Sequence, residues 1–362
     1  MQGNNITEGN NISSLADAGP GSVRPEDAAS TDGRARQAPP ALANGCWLLT
    51  DGKVGMENQC LGLAEALGIL PVVKRIRVRF PWRHLTPHLW VAPFAALDPA
   101  GDALAPPWPD LLIASGRVTV ALSRAIRRAS KGRCFTVQIQ NPTVGLGDFD
   151  LVIAPAHDRL RGANVLETRG GLHRVTPERL ADAAAAFAPR LAHLPRPRVA
   201  VLVGGNNKAY RFDAEAADRL GRQLADLARE TGAGLMVTPS RRTGAESTRI
   251  LRDRLAGLPA EIWDGGGDNP YYAYLALADA VVATCDSVNM ISEACSTGKP
   301  VHVVALDGPG SAKFRRFHRS LEADGLTRPF RGRIETWTYP PLDDMTVLAD
   351  AIRDRLAARR GG

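Results

Sequence analysis

Short, uninterrupted apolar runs alternate along the chain with stretches whose apolar positions recur every three or four residues. Runs at 46–50, 72–78, 111–114, 135–139 and 151–154, and again at 199–203, 234–237, 281–284 and 301–304, read as strands covered on both faces of a parallel sheet. Between them, Cys60, Leu63, Ala64 and Leu67 share one helical face that Gly68 ends. Similar stripes run through Val118, Leu122, Ile126 and Ala129, and through Ala217, Leu220, Leu224 and Leu227 behind a capping Asp213. An Ala-rich helix covers 177–191, a short one 269–275, and Met345, Leu348, Ile352 and Leu356 mark a final helix. This alternation predicts an α/β chain with two Rossmann-like parallel-sheet domains. Residues 1–44 read as a disordered tail and 45–194 as the first domain. The stiff segment from His193 to Arg198, with two prolines, opens the second domain at 195–342. The last helix, 343–362, is placed to cross back to the first domain. The Pro- and Trp-rich stretch 80–109 and the segment 328–332 read as irregular loops.

The stretch from Ala278 to Val304 organises the second half. It reads as strand, tight polar turn, helix, Gly298 stop and strand, with Asp286 or Ser287 as the helix cap. Free backbone amides beside Ser287, with Glu293 nearly two turns further on, suit an anionic, hydroxyl-bearing ligand at the C-terminal edge of a parallel sheet. Alone, the same pattern also describes an ordinary βαβ unit. Other strand ends carry matching groups. Gly204-Gly205-Asn206 lets a phosphate approach backbone amides, with Lys208 as counter-charge, and Ser240-Arg241-Arg242 offers hydroxyl and guanidinium donors. In the first half, Asp51-Gly52, Gln140-Asn141 and His157-Asp158 follow strand ends; a His–Asp neighbour pair is more often a surface turn than a catalytic dyad.

Composition narrows the classes. The chain is 44% hydrophobic and 23% charged, and no apolar run approaches the ~18 residues of a spanning helix. Neither a secretory signal nor a mitochondrial presequence is recognisable at the N-terminus, so the expected location is cytoplasmic. Five scattered cysteines without a C-x-x-C pair point to reduced thiols, and no metal ligands are expected. The net charge is +7, but only six of 45 basic residues are lysines, and no aromatic–basic interleaving marks a nucleic-acid binder. The excess charge is compatible with anionic small molecules, or with anionic lipid headgroups at the cytoplasmic face of an inner membrane. Neither G-x-G-x-x-G nor a Walker sequence occurs, so no dinucleotide cofactor is expected.

Taken together, Trp47…Thr50-Asp51-Gly52…Gly55…Gln59, Gln140-Asn141-Pro142, Ala156-His157-Asp158, Val203-Gly204-Gly205-Asn206, Pro239-Ser240-Arg241-Arg242-Thr243, Asp286-Ser287…Ser292-Glu293-Ala294 and Arg328-Pro329-Phe330 resemble bacterial members of the Elm-type mitochondrial fission family. The family's second half is similar to the nucleotide-sugar domain of GT-B glycosyltransferases and nucleotide-sugar 2-epimerases. The resemblance implies a GT-B-like cleft and a nucleotide-sugar donor, with no separate cofactor. In it, Glu293 would hold ribose hydroxyls, Gly204, Gly205 and the helix start at Ser287 the diphosphate, and Arg241 and Arg242 the leaving group. Gly52, Gly55, Gln59, Asn141, Asn206, Lys208, Ser240, Asp286 and Ser292 complete the expected binding set. Retaining GT-B enzymes often carry a second glutamate eight positions before the first; here that position is Cys285, which favours an inverting transfer. Its base would come from Asp51, Glu57 or His157. The acceptor class would be lipid or cell-envelope. Alternatives under the same resemblance are a non-enzymatic membrane-associated adaptor and a 2-epimerase.

Overall fold

Ten parallel strand pairings build two six-stranded sheets. The computed structural model describes residues 41–360, so the expected tail lies almost wholly outside the described residues. The first sheet holds β1 (Cys46–Thr50), β2 (Val72–Arg75), β3 (Leu111–Ser115), β4 (Phe135–Ile139), β5 (Leu151–Pro155) and β6 (Val165–Thr168), in the order β2-β1-β3-β4-β5-β6. The second holds β7 (Arg198–Val203), β8 (Gly234–Pro239), β9 (Ala260–Ile262), β10 (Ala280–Thr284), β11 (Val301–Val304) and β12 (Thr327–Pro329), in the order β12-β11-β10-β7-β8-β9. Strand order reverses between β1 and β3 in one sheet and between β7 and β10 in the other. Crevices open at the carboxyl ends of strands at such points.

Helices α1 (Val54–Ala66), α2 (Val120–Ala129), α3 (Pro177–Leu191), α4 (Ala214–Thr231), α5 (Ala245–Leu255), α6 (Tyr271–Leu277), α7 (Val288–Cys295), α8 (Ala312–Ala323) and α9 (Asp344–Arg360) cover the sheets. The apolar stripe of α9 does not stay with the second sheet. Met345, Leu348, Ala349, Ile352 and Leu356 are buried in one cluster with Leu48 and Ile113 of the first sheet and Leu63 of α1. Arg353 Nη2 also donates to the carbonyl of Ala66 at 2.7 Å.

Three strands escaped the sequence pattern: β6, β9 and β12. Each is three or four residues long and lies at a sheet edge, where little apolar surface is needed. The expected loop at 328–332 therefore begins inside β12. The expected strand 72–78 ends at Arg75. Beyond it, Val78 forms an antiparallel bridge with Leu97, so the chain leaves the sheet to close its own excursion. That excursion is built from short 3-10 turns at Trp82–His84, Pro87–Leu89 and Pro93–Ala96 over a cluster of Trp47, Ile76, Trp90 and Ala96.

Candidate functional site

At the crossover between β7 and β10, a buried carboxylate gathers the polar groups of several strand ends. Asp286 accepts hydrogen bonds from the Gly205 amide (2.9 Å) and the Thr284 hydroxyl (2.6 Å), and pairs with Arg242 Nη2 at 2.8 Å. The Gly204 amide donates to Thr284 Oγ1 at 2.8 Å. Ser240 Oγ donates to the Gly204 carbonyl at 2.8 Å, and Asn206 Oδ1 accepts from the Phe212 amide at 2.9 Å. The amides of Gly204 and Gly205 and the charge of Arg242, expected to meet a diphosphate, are thus already spent on Asp286 and its neighbours. A buried anion needs its hydrogen bonds completed, and the glycines let it approach. Nor does Asp286 cap α7, since Ser287 does so by accepting from the Met290 amide at 3.3 Å. What stays open on this edge is cationic. Lys208 and Arg241 are exposed and make no hydrogen bond or ion pair among the described residues. The first amides of α7 have no partner within the helix.

One turn further along α7, Glu293 lines a cleft of about 430 Å³ together with Asn58, Arg174, Asn269, Tyr271, Tyr272, Asn289 and Met290. Asn58 comes from α1 and Arg174 from the segment after β6, so both sheets' connections contribute walls. The Tyr271 hydroxyl donates a short hydrogen bond to Glu293 Oε2. Burial pushes the Glu293 carboxyl up to about 7, and the tyrosine's hydrogen bond works against that rise. Tyr272 packs edge-on to Tyr271 at 5.6 Å and lies under the Arg179 guanidinium at 5.5 Å. Arg174 is held by Glu65, Nε to Oε1 at 3.0 Å. Of the three tyrosines on α6, Tyr274 is fully buried and serves the core, while Tyr271 and Tyr272 face the cleft. The sequence pattern did not separate them, because spacing alone does not say which side of a seven-residue helix meets solvent.

The seam beside this cleft uses several residues expected to bind substrate. Gln59 Nε2 donates to Asn289 Oδ1 at 3.3 Å, and Gln140 Nε2 to Gln59 Oε1 at 3.3 Å. Ser292 is buried and accepts from the Gly171 amide at 2.8 Å. Gln59 and Ser292 therefore join the two sheets' connections. A Cβ on Gly171 would stand 2.7 Å from Asn289 Oδ1, so the glycine permits the close approach. Gly55 lies beside Asn289 as well, and Gly52 turns the β1–α1 loop at φ +79°. Asn141 Oδ1 accepts from the Thr143 amide at 2.9 Å within its own exposed turn.

The three expected bases fare differently. Both carboxylate oxygens of Glu57 are held by Arg75, at 3.0 Å from Nε and 2.6 Å from Nη2. Asp51 is ion-paired with the exposed Lys53. His157 follows the carboxyl end of β5 and lies against α8. Its carbonyl accepts from Arg316 Nη2 at 2.6 Å, and its ring stands edge-on to Phe317 at 5.6 Å. Burial lowers its pKa, and its Nδ1 is buried without a hydrogen-bond partner among the described residues. Cys285 is buried, and desolvation raises its thiol to about 11, which disfavours the reactive thiolate.

Residues 54–356 match the family described as Mitochondrial fission ELM1. The chain belongs to that family. It is 37% identical over 278 residues to the mitochondrial fission protein ELM1 of Arabidopsis thaliana, a match spanning 69% of this chain and 65% of the plant protein. An uncharacterized protein of Rickettsia prowazekii (strain Madrid E) is 24% identical over 359 residues, 85% of this chain and 97% of that one.

Among solved structures, this ELM1-family chain is similar to a UDP-GlcNAc 2-epimerase from Methanocaldococcus jannaschii, with 10% identity, TM-score 0.52, and 85% and 98% of the two chains covered. It is also similar to the Neisseria meningitidis UDP-GlcNAc 2-epimerase bound to UDP-GlcNAc, with 11% identity, TM-score 0.52, and 86% and 99% covered. At such identities the likeness shows the fold, the GT-B-like pairing of two Rossmann-like sheets. Among the described residues of the ELM1-family chain, no group of three or more His, Cys, Asp and Glu is placed to hold a metal ion.

Proposed function

We propose that this chain binds a nucleotide-diphosphate-sugar and transfers its sugar with inversion, without a metal ion, to a hydroxyl of a lipid or cell-envelope acceptor. The observation that carries the reading is the Glu293 cleft. A carboxylate, two tyrosines, three asparagines and an arginine converge there between the connections of two sheets. Such a lining offers hydrogen bonds to ribose hydroxyls and aromatic faces to a base. The open cations Lys208 and Arg241, with the amides of the first turn of α7, supply charge for the diphosphate on the same sheet edge. The nucleotide-sugar in the Neisseria epimerase supports the same class of ligand.

In the proposed step the acceptor oxygen attacks the anomeric carbon, and the carbon–oxygen bond to the diphosphate breaks. The nucleoside diphosphate departs with the electron pair, and the acceptor's proton passes to a base. His157, kept neutral by burial, fits that role better than Glu57, whose oxygens are occupied. No carboxylate stands at position 285 to form a glycosyl intermediate.

Calorimetric titration with a panel of nucleotide-sugars tests the reading. At least one should bind, and Glu293→Gln should weaken it by about ten-fold, the worth of one charged hydrogen bond. Absence of binding across the panel, or binding indifferent to Glu293→Gln, overturns it. Proton NMR of the sugar ring then separates transfer from epimerisation: formation of a C2 epimer without acceptor places the chain with the 2-epimerases instead.

A further inference from the structure

The excursion between β2 and β3 exposes large apolar side chains that a water-facing loop has no reason to carry. Its base is closed by the Val78–Leu97 bridge and by the Arg79 amide donating to the Ala96 carbonyl at 2.9 Å. Beyond that closure, Phe80 is 79% exposed, Leu89 54% and Val91 97%. Leu70, two residues before the edge strand, is 95% exposed, and Val72 at the strand's start 55%. The loop beneath these side chains is fixed. Trp90 and Ala96 are buried in the first sheet's core, and Arg117, just past the end of β3, donates to the carbonyls of Arg83 (2.8 Å) and Leu85 (3.3 Å).

Charge on the same segment is of one sign. Between Glu65 and Asp98 the chain contains no carboxylate, while it carries Lys74, Arg75, Arg77, Arg79 and Arg83, with His84 and His88. Arg75 is neutralised by Glu57. The exposed guanidinium groups of Arg77 and Arg79 meet no carboxylate among the described residues, and Arg83 reaches only His84, Nε to Nε2 at 2.9 Å. A fixed loop with apolar tips, on a segment whose exposed arginines Arg77, Arg79 and Arg83 meet no carboxylate among the described residues, is complementary to one surface above others. Acyl chains take the tips and anionic headgroups take the guanidinium groups. A nucleic acid would not use the aliphatic tips, and a protein groove would not call for so uniform a charge.

We infer that the Arg79–Ala96 loop, with the adjoining edge strand β2, is a peripheral docking surface for an anionic lipid bilayer. It leaves the sheet at the carboxyl end of β2 and is tied to the carboxyl end of β3. Docking there sets the strand-end edge of the first sheet against the bilayer. This inference stands on the loop alone and does not depend on the chemistry proposed for the cleft. No helix among the described residues is long and apolar enough to cross a membrane.

The test is flotation of the full chain with vesicles of phosphatidylcholine, with and without about 30% phosphatidylglycerol, at low and raised ionic strength. The chain should float with the anionic vesicles only, and salt should release it. Replacing Phe80, Leu89 and Val91 together by Ser should abolish flotation. Arg79→Glu with Arg83→Glu should weaken it by about 25-fold or more, at roughly five-fold per arginine lost. Thermal melts matching the parent's would show the variants folded, since all five side chains are exposed. Failure to float with anionic vesicles, or flotation unchanged in both folded variants, overturns the assignment. So does equal binding to neutral vesicles.

Discussion

The carboxylate of Asp286 fills the space in front of Gly204: a Cβ built on that glycine would lie 2.1 Å from Asp286 Oδ1. The two residues define the crossover of the second sheet, because the carboxylate draws β7, β10 and the 240–243 turn to one point. Gly204→Ala should therefore cost about 2–4 kcal/mol of unfolding free energy through overpacking beside a buried anion. Asp286→Ala, which strands the donors it served, should cost about as much. Urea denaturation of both single variants and of the double variant checks this. The pair's effects should fall short of additive, because each change relieves part of the other.

Gly62 gives a prediction with an unusual sign. Replacing glycine by alanine inside a helix normally stabilises it by about 1 kcal/mol. Here a Cβ would stand 2.1 Å from the carbonyl oxygen of His173, a backbone atom that cannot swing aside. Gly62→Ala should lower stability by about 1–3 kcal/mol, as overpacking does. A higher midpoint in urea would show that α1 can slide away from the 170–174 segment.

Glu293 makes stability depend on pH. Its carboxyl is raised in the folded protein to about 7 from an ordinary value of 4.5. The folded state therefore holds this proton more tightly than the unfolded chain. The stabilisation is complete below about pH 4.5 and is lost as pH rises through about 7, an effect on the order of 3 kcal/mol. Comparing the parent with Glu293→Gln across that window isolates it. The difference between them should change between pH 4.5 and 7 and be flat above.

Tyr271 acts on the same carboxyl. Its hydroxyl stabilises the ionised form, so Tyr271→Phe should move the Glu293 titration to still higher pH. Carbon-13 NMR of labelled glutamate reads the midpoint directly. An unmoved or lowered midpoint would mean that the hydroxyl points elsewhere in solution.

Helix α9 should be indispensable to the first sheet. Ile352 is fully buried among Leu48, Leu63 and Leu348. Ile352→Ala should cost about 2–5 kcal/mol, against a few tenths for Val347→Ala, which is 65% exposed. Chemical denaturation of the two variants makes the comparison.

Much of this architecture was legible from local chemistry. The apolar runs of β1, β3, β4, β7 and β10 are buried on both faces, so their composition declares them. Asp213, Ser287 and Gly298 act within a few residues of their helix ends, and the side chains of Asp213 and Ser287 cap as their positions suggest. The edge strands β6, β9 and β12 were not legible, because an edge needs only backbone pairing on one side and leaves little apolar signature. In the cleft, Glu293 stood out by its place on a helix after a strand. Asn58, Arg174 and Asn269 did not, since nothing near them in sequence says that three distant connections will meet.

The sequence by itself determined the alternation of strands and helices, the family motifs, and the supply of polar groups at the carboxyl ends of strands. Those depend on periodicity and on residues only a few positions apart. Only the tertiary structure decided which polar groups face each other and which remain for a ligand. Gly205 and Asp286 are 81 positions apart. A buried carboxylate takes its donors from whatever the fold brings within 3 Å, and no local pattern announces which they will be.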